Sequence, residues 1–286
     1  MNSSQIGIVP LNWKYDSARM GDYLSGIAGY GFKGIQISMD QGNSADFVRS
    51  MKDHSLNFAE IYVAVHMTPD GIEEISETET AETIALAARV GVEMVVFAVD
   101  GTTDRDLCAT RASTGPQLTV AAYSQLAEHI NRFAKIAKDH GMKSSFHPHA
   151  ATFIETFSET EKLMNLLDPA LVGVCLDVGH WIVGGGDPIE AIQHFGERVT
   201  HAHIKDVSGE VLAKLASGEI ASMHDCVMDQ KLFVPAGTGV LDLKGVISAL
   251  TALNFSGWLM SEQDSAWEPS EAASGISYAN IIAALQ

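Results

Sequence analysis

The chemistry of this chain is concentrated in short apolar runs that end in carboxylate or imidazole. One is Cys175-Leu176-Asp177-Val178-Gly179-His180, and His201-Ala202-His203-Ile204-Lys205-Asp206 follows it after a short helical stretch. Lys143-Ser144-Ser145-Phe146-His147-Pro148-His149 lies upstream, and Trp258-Leu259-Met260-Ser261-Glu262-Gln263-Asp264 lies near the C-terminus. In an extended strand alternate residues share a face. His147 therefore goes with His149, and His201 goes with His203 and Lys205, while Asp177 and Glu262 close their runs. Carboxylates with imidazoles and no thiolate pair suit a divalent cation such as Mn²⁺, Co²⁺, Fe²⁺, Mg²⁺ or Zn²⁺ in a site that stays open for substrate, rather than a closed structural zinc site.

Such residues act together only if strands bring their ends together. The pattern predicts strands over 6–11, 34–38, 57–66, 93–99, 143–149, 172–177, 199–206 and 257–263. Helical periodicity fills the gaps, over 17–29, 46–54, 78–90, 117–140, 158–167, 188–195, 242–253 and 269–284, several opened by Ser, Thr or Asp caps or a first-turn Pro. Eight strands each followed by a helix is the count of a (β/α)8 TIM barrel, an α/β fold. No Pro/Gly/Ser-rich linker divides the chain, so residues 1–286 read as a single domain. A doubly wound sheet would show a glycine-rich first turn, and none follows 6–11. Barrel active sites stand at the C-terminal ends of the strands, which is where the four runs end. Residues 207–238, between the seventh strand and its helix, are too long for an ordinary loop and read as a lid or interface insertion.

Composition narrows the partners. The chain has 286 residues, 46% of them hydrophobic, enough for one large core. A net charge of −18, spread along the chain, repels nucleic acid and anionic membrane, whereas a small neutral molecule or a cation fits. Cys108, Cys175 and Cys226 form no Cys-x-x-Cys pair, which suits a reducing, cytoplasmic compartment. The first residues lack a basic region followed by an apolar run, and the most apolar segment, near 84–99, is interrupted by Arg89 and Glu93. Neither a signal peptide nor a membrane span is expected.

A linked series of motifs goes further. His147-Pro148-His149-Ala150-Ala151-Thr152-Phe153-Ile154-Glu155-Thr156, Leu167-Asp168-Pro169-Ala170-Leu171-Val172-Gly173, Asp177-Val178-Gly179-His180, Gly184-Gly185-Gly186-Asp187-Pro188, His201 to Asp206 and Ser256-Gly257-Trp258 resemble the xylose-isomerase-like TIM barrel superfamily. Within it the chain is most similar to the inosose (2-keto-myo-inositol) dehydratase-like branch and its sugar isomerase/epimerase neighbours. Gly7-Ile8-Val9-Pro10-Leu11-Asn12-Trp13 extends the similarity to the N-terminus. The resemblance implies one divalent metal, Mn²⁺ by preference, held at the ends of strands five to eight. Asp177, His203 and Glu262 match three of those places. The strand-five place falls on His147, with His149 and Glu155 in reserve, where epimerases carry Glu. Gln36 and Thr238 replace acidic residues common in relatives and point to a shifted substrate.

A cation chelated by a carbonyl and an adjacent hydroxyl acidifies the carbon-bound proton between them. The expected activity is therefore dehydration of a keto-cyclitol, or isomerisation or epimerisation of a keto-sugar, on a small neutral polyol. Glu155, His149, Glu262 and Lys205 are the acid/base candidates. His180, His66, Trp13 and Trp181 are the candidate substrate contacts, the indoles by stacking on a sugar face. Lys205 and Asp206 read either as an ion pair tightening the strand end or as a lysine that stabilises an enolate. An apurinic endonuclease of the same superfamily would need a basic DNA face and an Asp-x-His after strand seven, whereas the chain offers His224-Asp225. A non-catalytic sugar-binding barrel would be expected to lose ligands. A homo-oligomer stays open.

Overall fold

Runs such as Met94–Val99 (MVVFAV) and Val172–Asp177 (VGVCLD) are buried along their whole length, as strands covered on both faces must be. The computed structural model describes residues 5–267 and 269–286; residues 1–4, where no leader pattern was expected, lie outside the described residues. Eight parallel strands, β1 Ile6–Val9, β2 Gly34–Ile37, β3 Asn57–Val65, β4 Met94–Val99, β5 Lys143–Phe146, β6 Val172–Asp177, β7 Val199–Ile204 and β8 Leu259–Glu262, close into a barrel in chain order. Among the described residues one helix after each strand packs outside it: α1 Met20–Tyr30, α2 Ala45–Asp53, α3 Ile75–Val90, α4 Val120–Asp139, α5 Phe157–Met164, α6 Pro188–Phe195, α7 Leu243–Ala252 and α8 Ser270–Ala284. The predicted barrel is what the chain forms, and element ends differ from expectation by a few residues.

Two register details matter for the site. A shift between Val174 and Cys175 sets Asp177 opposite His203, and β1 pairs with β8 so that Val9 faces Glu262. The helix starts follow their caps: the Thr119 hydroxyl accepts from Ala122 at α4, Thr156 and Glu159 form a capping box at α5, and Asp187 precedes Pro188 at α6.

β5 stops at Phe146, short of the expected 149. The His147 N–H still bonds the Phe97 carbonyl at 2.7 Å, but Pro148 has no N–H to continue the ladder. β7 likewise ends at Ile204, and Asp206–Val207 leaves the barrel to pair antiparallel with Phe233–Val234. Asp206 is not the partner of Lys205, which corrects the ion-pair reading. Its carboxylate accepts instead from the backbone N–H groups of Val207, Gly237, Gly239 and Leu241, clamping the base of the insertion.

The insertion is itself folded. It carries the helices Gly209–Ser217 and Met223–Asp229, and it buries Val211, Leu215, Met223, Cys226, Leu232 and Phe233 against Ala109, Ala150, Ala151 and Val183 of the barrel loops. Among the described residues no helix is long and apolar enough to cross a membrane.

Candidate metal centre

The strand ends converge as their periodicity requires. One ligand atom each from His147, Asp177, His203 and Glu262 lies within 4.8 Å of the other three, at the C-terminal ends of β5 to β8. His203 Nδ1 is 2.7 Å from Glu262 Oε2 and 3.7 Å from Asp177 Oδ2, and His147 Nε2 is 3.6 Å from Asp177 Oδ2. The His147 Nδ1–H donates to the Pro148 carbonyl at 2.9 Å, which leaves a lone pair on Nε2 facing the cluster. Asp177 Oδ1 caps the helix Val178–Val183 by accepting from the His180 N–H, while Oδ2 points inward.

Asp177 Oδ2, Glu262 Oε2 and His203 Nδ1 are buried and make no hydrogen bond. The Lys205 ammonium, 3.1 Å from Asp177 Oδ2 and 3.3 Å from Glu262 Oε2, offsets part of the charge of these carboxylates without completing their hydrogen bonds. A nitrogen-and-oxygen donor set without thiolate fits a divalent ion, and the four residues therefore fit the group that the sequence implies.

Lys205 is wholly buried beside the cluster. Its Nζ lies 2.6 Å from Asp264 Oδ2, 3.1 Å from Asp177 Oδ2 and 3.3 Å from Glu262 Oε2. Burial alone would strip its proton, but Asp177, Asp264 and Glu262 hold the ammonium charged, above the usual lysine range. Three of the histidines go the other way. Burial, with the neighbouring His203, His149, His180 and Lys205, pushes His147 well below the ordinary imidazole value. Burial and Lys205 bring His149 to about 4, and burial with His149 and Lys205 brings His180 to about 3. All three are neutral at pH 7, with lone pairs free for a ligand or a proton.

His149 and His180 stack with ring centroids 3.6 Å apart, and His180 Nε2 lies 3.4 Å from Asp264 Oδ2. Phe233 of the insertion covers this layer, 5.0 Å from the His180 ring and 4.9 Å from Lys205 Nζ.

Four predicted residues are not brought here. The Glu155 oxygens accept from the Thr110 and Ala151 N–H groups at 2.9 Å, beside Arg105 at 3.8 Å. Burial pushes its carboxyl up to about 7 against those N–H groups, but its partners are backbone and arginine rather than the cluster. Trp13 is packed edge-on against Tyr23 and Tyr30 and donates to Ser274. Trp181 packs against Phe157 and Phe195. Both indoles are buried by helices, so neither is a sugar platform. His66 sits at the rim between Glu79 and Asp100, 2.9 and 3.1 Å away.

Residues without an expected role fill the space below. Glu60 of β3 reaches across the barrel to the rings of both His201 and His203. Burial would raise its carboxyl, yet His203 and His201 hold it at about 2. Glu60 was legible as a lone acid inside the apolar run Phe58–Val65, where a barrel strand should carry branched aliphatics. Asp264, one residue beyond the expected strand, was hidden because its role depends on Lys205.

Residues 25–280 match the family model described as xylose isomerase-like TIM barrel. The inosose dehydratase of Clostridium beijerinckii is 26% identical over 92% of this chain and 91% of its own length. A crystal structure of the 3-keto-D-glucoside 4-epimerase from E. coli superposes with a TM-score of 0.74 at 16% identity, covering 98% of this chain and 99% of that one. The crystal structure of IOLI protein with a bound zinc atom has a TM-score of 0.69 at 18% identity, covering 99% and 95%.

Proposed function

The chain belongs to the xylose isomerase-like TIM barrel family, and from that premise we propose that it is a metal-dependent enzyme that abstracts a proton beside the carbonyl of an uncharged keto-cyclitol or keto-sugar. Dehydration of a keto-cyclitol is the favoured reaction and keto-sugar epimerisation the second. The observation that carries this reading is the convergence of four ligand atoms, three of which are buried and make no hydrogen bond. The inosose dehydratase relative supports dehydration, and the zinc in IOLI protein supports a divalent ion.

His147, Asp177, His203 and Glu262 would hold the cation, with Mn²⁺ preferred. Bound there, it would polarise a carbonyl and an adjacent hydroxyl and so acidify the proton between them. The protein supplies the rest. His149, whose Nδ1–H is tied to the Ala150 carbonyl at 2.7 Å, keeps a lone pair on Nε2 and takes the carbon-bound proton. The electron pair of that C–H bond moves toward the carbonyl oxygen, where the buried Lys205 ammonium offsets the developing charge. In dehydration the pair then expels the hydroxyl on the next carbon, which leaves as water after taking a proton. In epimerisation a proton returns to the opposite face. The insertion at 207–238 covers the site through Phe233 and excludes water from the anion.

Incubation in deuterated water with metal and a panel of keto-inositols, ketohexoses and 3-keto-glycosides tests this. Both reactions exchange a carbon-bound proton, and only dehydration yields a conjugated product absorbing in the ultraviolet. No exchange with any member of the panel would sink the proposal.

A further inference from the structure

We infer that Glu60 is a positioning residue, which commits the Nε2 proton of His203 and so leaves Nδ1 as the ligand atom turned toward Asp177 and Glu262. The inference rests on the metal reading above and adds a residue to it. β3 and β7 stand on opposite sides of the barrel order, so the contact crosses the lumen. There a (β/α)8 barrel ordinarily stacks branched aliphatic side chains.

Three observations carry the argument. First, Glu60 Oε2 lies 3.0 Å from His203 Nε2, and the same oxygen meets the Nε2 of His201. A carboxylate can only accept, so both rings must carry a proton on Nε2. Second, His203 Nδ1 is the nitrogen that faces Glu262 Oε2 and Asp177 Oδ2, so the ring is oriented with its committed nitrogen away from the donor set. A ring with that proton on Nδ1 would turn an N–H toward the place where the ligand lone pair is needed. Third, the arrangement is poor as packing. Glu60 Oε1 and His201 Nδ1 are both buried without a hydrogen bond, and Glu60 itself is fully buried. Apolar residues of similar size would stabilise this layer at least as well.

Glu60→Gln separates the roles at nearly constant volume. Its amide oxygen takes the place of the shared carboxylate oxygen as an uncharged, weaker acceptor, so the two Nε2–H groups are held less firmly. Equilibrium dialysis against Zn²⁺ or Mn²⁺ alone, read by elemental analysis, should show roughly 10- to 100-fold weaker binding in Glu60→Gln, the range for loss of a partner behind a metal-bound histidine. Imidazole ¹⁵N–¹H correlation spectra of the unmutated protein supply a readout that does not depend on the variant folding. His203 should carry a proton on Nε2 both without metal and with Zn²⁺, with Nδ1 as the nitrogen that shifts on Zn²⁺ addition.

A folded Glu60→Gln chain that binds Zn²⁺ as tightly as the unmutated chain would overturn the inference while leaving the metal centre intact. A bare Nε2 on His203 would overturn it as well. An unmutated chain that retains neither ion would instead overturn the metal centre and, with it, the inference.

Discussion

The network of Arg105, Glu155 and Glu159 and the cluster of His147, Asp177, His203 and Glu262 are both sealed from solvent and rich in carboxylate, yet their oxygens meet different surroundings. Around Arg105 every carboxylate oxygen is engaged. The guanidinium grips Glu159 at 2.9 and 3.1 Å, and Glu159 Oε2 also accepts from the N–H groups of Glu155 and Thr156. Both Glu155 oxygens take backbone N–H groups. Among the described residues the Arg105 Nε–H finds no hydrogen-bond acceptor. In the cluster, by contrast, Asp177 Oδ2, Glu262 Oε2 and His203 Nδ1 make no hydrogen bond, although the Lys205 ammonium stands 3.1 and 3.3 Å from the two carboxylate oxygens. A network completed by the chain's own donors holds loops in place, here the segment after β4 against the start of α5. A convergence of carboxylate and imidazole atoms that lack hydrogen bonds is the arrangement on which the proposed metal centre rests.

That contrast can be broken most directly at Asp177. Asp177→Ala should abolish metal retention and lower turnover by roughly 10³-fold or more, the several kcal/mol that a catalytic metal contributes, with the circular dichroism of a folded barrel unchanged. Full metal stoichiometry in that variant would place the ion elsewhere. At the other network the order of effects should reverse. Arg105→Met leaves the Glu159 carboxylate buried without its cation and should cost about 3–5 kcal/mol of folding stability, while metal stoichiometry stays at the unmutated value. Denaturant melts paired with metal analysis would show it, and a loss of metal without a loss of stability would erase the distinction. The smallest effect is expected at the cover. Phe233→Leu keeps an apolar plug but removes the ring from Lys205 and His180, which is worth about 0.5–1.5 kcal/mol and should raise KM about 3- to 10-fold. An unchanged KM with a lowered melting temperature would make the insertion a packing element only.

The barrel was legible because its signals are local. Burial on both faces turns a strand into a continuous apolar run, and each helix advertises its cap and its period within a few residues. The convergence of polar strand ends was legible for a related reason, since the ends of strands in a closed parallel barrel must come together, while the choice of His147, Asp177, His203 and Glu262 among their residues rested on the family resemblance. Trp13, Trp181 and Glu155 lie in the segments that follow β1, β6 and β5, where the path of the chain decides between the barrel mouth and the helical layer. Glycine and caps near a turn do not reveal which way the next side chain leaves it. Lys205 and Asp206 illustrate the same limit. Adjacent opposite charges suggested a pair, but the strand's alternation sends them to different faces, one into a triad of distant carboxylates and the other to four backbone N–H groups of the insertion.

The sequence by itself therefore determined the strand count, the helical layer and the donor types at the strand ends, because these depend on periodicity and on chemistry carried by single residues. Only the tertiary structure decided which nitrogen of His203 faces its partners, that Glu60 reaches it across the lumen, and that the insertion lays Phe233 over Lys205. Those facts depend on pairs far apart in the chain, His203 with Glu60, His203 with Asp177 and Phe233 with Lys205, and their side-chain directions are set by barrel closure rather than by any local preference.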